Sequence, residues 1–328
     1  MGGTGPSKIE KDFEQCGEEL PERYLGFENK DNICYANSVL QALYFCQDFR
    51  KYLINQKIAS RDTVMSQLQE LYITMITSKR KTGVMSTKNV MSKCKVLNEL
   101  FDNDDHHDSH EFLIWLINRL DEELKAQGSQ SWVQQLFEGK FTTQTKCLCC
   151  QNVTHRDEVF MDLSLDVKQN CSILSSLKRY SEIETLSGAD KFYCETCACK
   201  QEAQTRTLIK DPPNILICHL KRFKYSDELR RYTKLSYRVA FPSQLRLNNT
   251  VDNCPEKLYE LFACIVHLGP GFQYGHYMAI VKSHGHWIRF DDDYVEKVDE
   301  ALIQHIFGSS KEIGSVPCGY ILFYRATF

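Results

Sequence analysis

The sequence predicts an α+β protein built from three successive parts, and three observations predict it. Apolar residues recur at helical spacing through the first third. They alternate at strand spacing around a cysteine-rich middle stretch. From Ile215 onward they fall into short apolar runs punctuated by Pro and Gly. At 328 residues the chain is long for one simple core, which admits two domains or one large multi-part domain.

The elements follow in order. Residues 1–23 are rich in Gly, Glu and Lys and read as a mobile N-terminal tail. Val39, Leu40, Leu43 and Tyr44 set a helical period between Cys34 and about Tyr52. The period returns over 62–77 and again over 109–124, where Phe112, Leu113, Leu116, Ile117 and Leu120 form an apolar stripe. Phe137 to Thr145 alternates until Cys147-Leu148-Cys149-Cys150 interrupts it. Val159 to Val167 alternates again, a short helical stretch follows at 172–180, and a second cysteine knuckle lies at 194–199. Strands are then expected at 215–225, 236–241, 259–267, 275–283, 286–291 and 319–325.

Composition excludes some functions. A formal charge of −3 argues against a nucleic-acid protein held by a bulk positive field, and the basic stretch Lys221 to Arg238 reads as a solvated face. No apolar run is long enough to span a bilayer, and no signal-peptide core is present, so no membrane association is expected. Met1-Gly2 is followed by Pro6 where myristoylation needs Ser or Thr. Fifteen cysteines, an odd number with no export signal, point to a reducing compartment, cytoplasmic or nuclear. Cys46, Cys218, Cys264 and Cys318 lie in apolar runs and read as inert core.

Two of the cysteine pairs have metal-ligand spacing. A Cys-x2-Cys turn aims both sulfurs at one ion, so Cys147 with Cys150 and Cys194 with Cys197 make a tetrahedral thiolate site for Zn2+. Forty-three residues separate the pairs, so the ion would clamp two distant hairpins in place of a core. Cys149 and Cys199 adjoin the knuckles and are alternatives within each pair. Four thiolates leave no open position, which makes the metal structural.

A second constellation carries chemistry. Cys34 stands where a polar loop meets a helix-forming run, and a thiol at a helix N-terminus has its thiolate favoured. His276, beside Gly275, suits the base that holds the thiol proton, because glycine lets a substrate backbone approach. Asp291 follows after fourteen intervening residues, enough for a strand, a turn at Ser283-His284-Gly285 and a return strand that brings Asp291 level with His276. Asp292 is the alternative orienter, since Asp291, Asp292 and Asp293 lie in a row. Asn29 can donate its amide to an oxyanion beside the Cys34 backbone N–H.

These residues carry a resemblance. Gly26 to Leu43 resembles the cysteine box of the ubiquitin-specific proteases, and Gly275 to Val295 resembles their histidine box. Asp108-Ser109-His110-Glu111-Phe112-Leu113, Pro213 to Phe223 and Gly319 to Tyr324 resemble three further family segments, in order. The stretches Lys221 to Tyr225, Arg231 to Arg238 and Ala279 to His284 are most similar to the short ubiquitin carboxyl-terminal hydrolases of the 12/46 type.

The resemblance implies a papain-like, right-hand architecture in a catalytic domain spanning 24–328. Its parts are a helical thumb over about 24–130, zinc-bearing fingers over about 136–210 and a β-rich palm over about 211–328. It implies hydrolysis of the isopeptide or ester-like bond at the ubiquitin C-terminus through Cys34, His276 and Asp291, with ubiquitin conjugates as substrates. WD40-repeat proteins would be the activators. Asp108 and Glu111 match acidic positions that meet ubiquitin's basic tail, and their other reading is helix capping. Gly275 and Tyr277, which flank the histidine, join them as candidate substrate contacts.

The chain departs from the family pattern at Asp31, Ile33 and His107, which stand for Gly, Thr and Gln. A carboxylate near Cys34 disfavours its thiolate, so the expectation is weak intrinsic activity. The alternative function is a ubiquitin-binding pseudoenzyme.

Overall fold

A computed structural model describes residues 7–227, 230–254, 256–271, 274–309 and 316–327. Among the described residues seven α-helices precede the fingers: α1 (Lys8–Gln15), α2 (Cys34–Phe45), α3 (Gln47–Asn55), α4 (Val64–Thr77), α5 (Lys88–Leu97), α6 (Ser109–Ala126) and α7 (Trp132–Phe137). Side-chain caps start two of the long ones. Thr63 forms a capping box with Ser66 at α4, and Asp108 accepts the His110 and Glu111 N–H groups at α6. All twelve residues of α2 are buried. It is therefore a core helix, packed between α6 and the strand His276–Ser283.

The palm is an eight-stranded sheet. Its main path runs Tyr294–Val298, His286–Asp291, His276–Ser283, Leu258–Leu268, Cys318–Thr327, Ile215–Lys221 and Leu163–Asp166, with Gln244–Arg246 paired to Leu258–Leu268. Only the pairing of Leu163–Asp166 with Ile215–Lys221 is parallel. Both faces are covered, which explains why these strands read as unbroken apolar runs. Ile215, Ile217, Ala263 and Ile265 face the helical thumb, while Leu216, Cys218, Cys264 and Val266 face a second core. Cys46, Cys218, Cys264 and Cys318 are all buried.

The fingers are a four-stranded sheet ordered Val153–Phe160, Gly139–Cys147, Ala203–Asp211 and Glu184–Leu186. Seven of the eight residues of Val153–Phe160 are exposed, so this sheet has little core of its own.

Three expectations are corrected. Residues 1–23 are not a mobile tail throughout: Ser7 caps α1, and Ile9 and Phe13 are buried. Asp12 Oδ2 accepts the Lys297 N–H at 3.0 Å, so α1 covers the edge strand of the palm. Polar composition hid a two-residue apolar face. Residues 1–6 lie outside the described residues.

The strand expected at 215–225 also breaks, at Arg222. The Arg222 guanidinium is completely buried and donates to the carbonyls of Gly319 (2.7 Å), Leu235 (2.9 Å), Tyr237 (2.8 Å) and Phe307 (3.2 Å). The strand expected at 236–241 shortens to Val239–Ala240. No helix among the described residues is long and apolar enough to cross a membrane.

Candidate active site

The loop before α2 is built by short polar side chains. Asp31 and Asn32 both take left-handed backbone angles, with φ of 67° and 55°. Asp and Asn are the non-glycine residues that adopt this conformation most readily, so the turn forms without glycine. Asn32 Nδ2 donates to the Asp104 carbonyl at 2.9 Å, and Asn29 Oδ1 accepts the Ile33 N–H at 2.9 Å. Cys34 then opens α2 and is 1% exposed, with its sulfur at the positive end of the helix.

His276 opens one palm strand and Asp291 closes the next. The paired ladder ends at Ala279 and Phe290, so the two side chains meet diagonally beyond it. His276 Nε2 lies 2.5 Å from Asp291 Oδ1 and 3.9 Å from Asp292 Oδ2. With Nε2 engaged by Asp291, Nδ1 is the nitrogen left for the thiol. The Asp291 carboxylate, and after it the Cys34 sulfur, push the His276 pKa up to about 10 against the opposing effect of burial. Asp291 is held below its ordinary value, first by His276. Burial raises Asp292.

Asp292 has a different set of partners. Asn29 Nδ2 donates to its Oδ2 at 2.7 Å, Asn37 Nδ2 donates to its Oδ1 at 2.9 Å, and its carbonyl accepts the Phe27 N–H at 2.8 Å. A Cβ on Gly26 would lie 2.7 Å from the Asp292 carbonyl oxygen, so glycine lets the strand Tyr24–Phe27 pass this turn. The cysteine loop and the aspartate turn are thus buckled through Asn29 and Asn37. Sequence reasoning missed Asn37. It lies three residues after Cys34 on a fully buried helix, and a buried amide there demands partners.

The remaining predicted residues sit nearby. The Asp108 carboxylate caps α6 and accepts the Tyr320 hydroxyl at 2.5 Å, so the capping reading describes it in this structure. Glu111 is held above its ordinary pKa by desolvation and by the Asp108 carboxylate. Both line a cleft of about 830 Å³ between α6 and the palm, together with His110, His219, Phe223 and Tyr320. Gly275 packs on a buried neighbour: a Cβ there would come within 2.0 Å of His267 Nε2. Tyr277 is buried, with its ring against His267 and Tyr320 and its hydroxyl beside Ser109. His107 is also buried, edge-on to Tyr35 and Phe101, with Nε2 on Asn103 Oδ1 at 2.8 Å.

At the fingertip, the sulfurs of Cys147, Cys150, Cys194 and Cys197 all lie within 4.8 Å of one another and could hold a metal ion. Cys150 Sγ and Cys194 Sγ are 3.5 Å apart. Tetrahedral zinc with bonds of about 2.3 Å needs sulfur separations of roughly 3.8 Å, so the cluster fits the ion with small adjustments. Cys149 and Cys199 stand outside the cluster and are exposed.

Residues 25–324 match the ubiquitin carboxyl-terminal hydrolase family. Ubiquitin carboxyl-terminal hydrolase 4 of Arabidopsis thaliana is 46% identical, over 99% of this chain and 99% of its own length. Ubiquitin carboxyl-terminal hydrolase 12 of Salmo salar is 44% identical, over 99% of this chain and 95% of its own. The fold is similar to one in the SAGA Ubp8/Sgf11/Sus1/Sgf73 DUB module bound to ubiquitin aldehyde. That chain has a TM-score of 0.79 at 24% identity, over 94% of this chain and 71% of its own. With nearly full-length relatives and a family match across thumb, fingers and palm, the chain belongs to the ubiquitin carboxyl-terminal hydrolases, thiol-dependent deubiquitinating enzymes.

Proposed function

We propose that this deubiquitinase works through Cys34 as nucleophile, His276 as base and Asp291 as orienter. The observation that carries the proposal is the 2.5 Å contact of His276 Nε2 with Asp291, which leaves Nδ1 for a thiol at the start of α2. The Cys34 thiolate attacks the carbonyl carbon at the ubiquitin C-terminus, and the imidazolium of His276 protonates the leaving amine. Water, deprotonated by His276, then hydrolyses the thioester. The Cys34 N–H is a first-turn donor with no helical acceptor and serves the oxyanion. Asn29 spends one amide hydrogen on Asp292 and keeps the second for the same task. A complete set of roles at one place disfavours the pseudoenzyme reading.

Labelling by ubiquitin bearing a C-terminal electrophile tests this. The full chain is expected to form one covalent adduct, and Cys34→Ala none, while the variant still binds unmodified ubiquitin. An adduct that survives in Cys34→Ala would exclude Cys34 as the nucleophile. For Asp31→Gly, the proposal expects a several-fold gain in hydrolysis, since glycine accepts the left-handed turn and the change removes the carboxylate three residues before Cys34. An unchanged rate would remove Asp31 as a cause of weak activity.

The proposal assigns Zn2+ to the four-cysteine cluster as a structural ion. Replacing Cys194 with Ser is expected to raise amide exchange throughout Gly139–Cys147 and Ala203–Asp211 while the palm strands stay protected. Equal protection in both proteins would refute the structural role. Activation by WD40-repeat proteins on fingers and palm, and work on conjugates in cytoplasm or nucleus, belong to the same proposal. A rise in turnover on adding such a protein tests the former.

A further inference from the structure

A second group of metal-ligating side chains lies outside the residues assigned to catalysis and to the fingers. His110, Asp162 and His219 bring one ligand atom each to within 4.8 Å of one another. They come from three places: the first turn of α6, the residue before the strand Leu163–Asp166, and the strand Ile215–Lys221. Ser164 and His219 are register partners in the parallel pair, so the sheet holds Asp162 and His219 at fixed separation.

The polar atoms here are closely spaced and incompletely satisfied. His110 Nε2 lies 3.0 Å from Asp162 Oδ2. Ser164 Oγ lies 3.1 Å from the same oxygen and 2.9 Å from His219 Nδ1. The two imidazole rings stack at 3.7 Å. His219 Nε2 is buried with no hydrogen-bond partner, although a nitrogen in that position ordinarily has one.

We infer that His110, Asp162 and His219 form a site for a divalent transition-metal ion, Zn2+ by choice, in the cleft between thumb and palm. Two imidazoles and a carboxylate are a donor set for zinc, and three protein ligands leave a fourth position for water. The 3.0 Å edge between His110 and Asp162 is close to the roughly 3.3 Å edge of a tetrahedral ion with bonds of about 2.0–2.1 Å. Parallel rings aim their lone pairs side by side, so one ring must turn for both to reach the ion. Both rings line the cleft of about 830 Å³, and His110 is the one free to turn, because Ser164 Oγ holds His219 at 2.9 Å on its strand. Asp108 and Glu111 add negative charge to the same wall. A bound ion would tie α6 to the palm and fill one end of the cleft.

The test uses the full-length Cys34→Ala protein, loaded with zinc in the fingers and titrated with Co2+. The expected result is one more cobalt equivalent than in His110→Gln or Asp162→Asn. Its visible ligand-field bands should appear without thiolate-to-cobalt charge transfer. Equal cobalt stoichiometry in the parent and both variants would overturn the site, and so would charge-transfer bands on the extra equivalent.

A second arm rests on the ubiquitin reading above. Saturating Zn2+ should weaken ubiquitin binding to Cys34→Ala, and this effect should vanish in both variants. Undiminished ubiquitin affinity with cobalt seated in the site would overturn the competition. The cobalt titration does not depend on ubiquitin, so the two failures are distinguishable.

Discussion

Asp291→Ala is expected to lower kcat/KM for a ubiquitin C-terminal substrate by about 10³-fold or more, as loss of a histidine's orienting acid does elsewhere. The same variant should move the alkaline limb of the pH profile to lower pH. The sign follows from the geometry. Asp291 is the largest contributor holding His276 at about 10, so the imidazolium persists well above neutrality in the intact protein. Without that carboxylate its pKa falls toward the ordinary value of about 6.5, and the imidazolium proton is lost at lower pH.

Asp292→Ala should behave differently. It frees Asn29 and Asn37, which tie the cysteine loop to the aspartate turn. Its cost should therefore appear as reduced kcat with a smaller displacement of the alkaline limb. Rate measurements across pH on both variants decide the matter. A larger limb shift in Asp292→Ala would reverse the two roles.

Arg222→Leu is expected to destabilise the palm by about 3–5 kcal/mol, seen as a lower urea midpoint. Four carbonyls from three segments converge on one buried guanidinium. Removing it leaves several buried acceptors unpaired, at about 1–3 kcal/mol each before relaxation. Arg222→Lys should not rescue the loss, because one ammonium has three donors and cannot reproduce the planar fork. An Arg222→Leu protein with an unchanged midpoint would show that these bonds contribute nothing net.

Much of the secondary structure is readable locally because its cause is local. The apolar stripe from Phe112 to Leu120 requires a helix, and the helix runs Ser109–Ala126. The apolar spacing over 62–77 becomes α4, and the runs at 259–267 and 286–291 become strands. α1 was unreadable for the opposite reason. Its burial depends on an edge strand at Tyr294–Val298, almost the whole chain away, and a window of sequence contains no trace of that partner. Arg222 looked like part of a basic stretch, and only the convergence of Leu235, Tyr237, Phe307 and Gly319 makes it a buried anchor.

The candidate site divides the same way. Residue type and flanking pattern single out Cys34, His276 and the aspartates, because nucleophile, base and orienter need particular side chains whatever the fold. Sequence alone determined the α+β class, the order of thumb, fingers and palm, and the paired cysteine knuckles. Tertiary structure decided which acid faces the histidine. Asp291 ends its strand with the carboxylate on His276, while Asp292, at φ 51°, turns toward Asn29 and Asn37. Asp291 is the last residue of extended strand and the left-handed turn at Asp292 redirects the next side chain, so only the packed hairpin determines which carboxylate meets the imidazole.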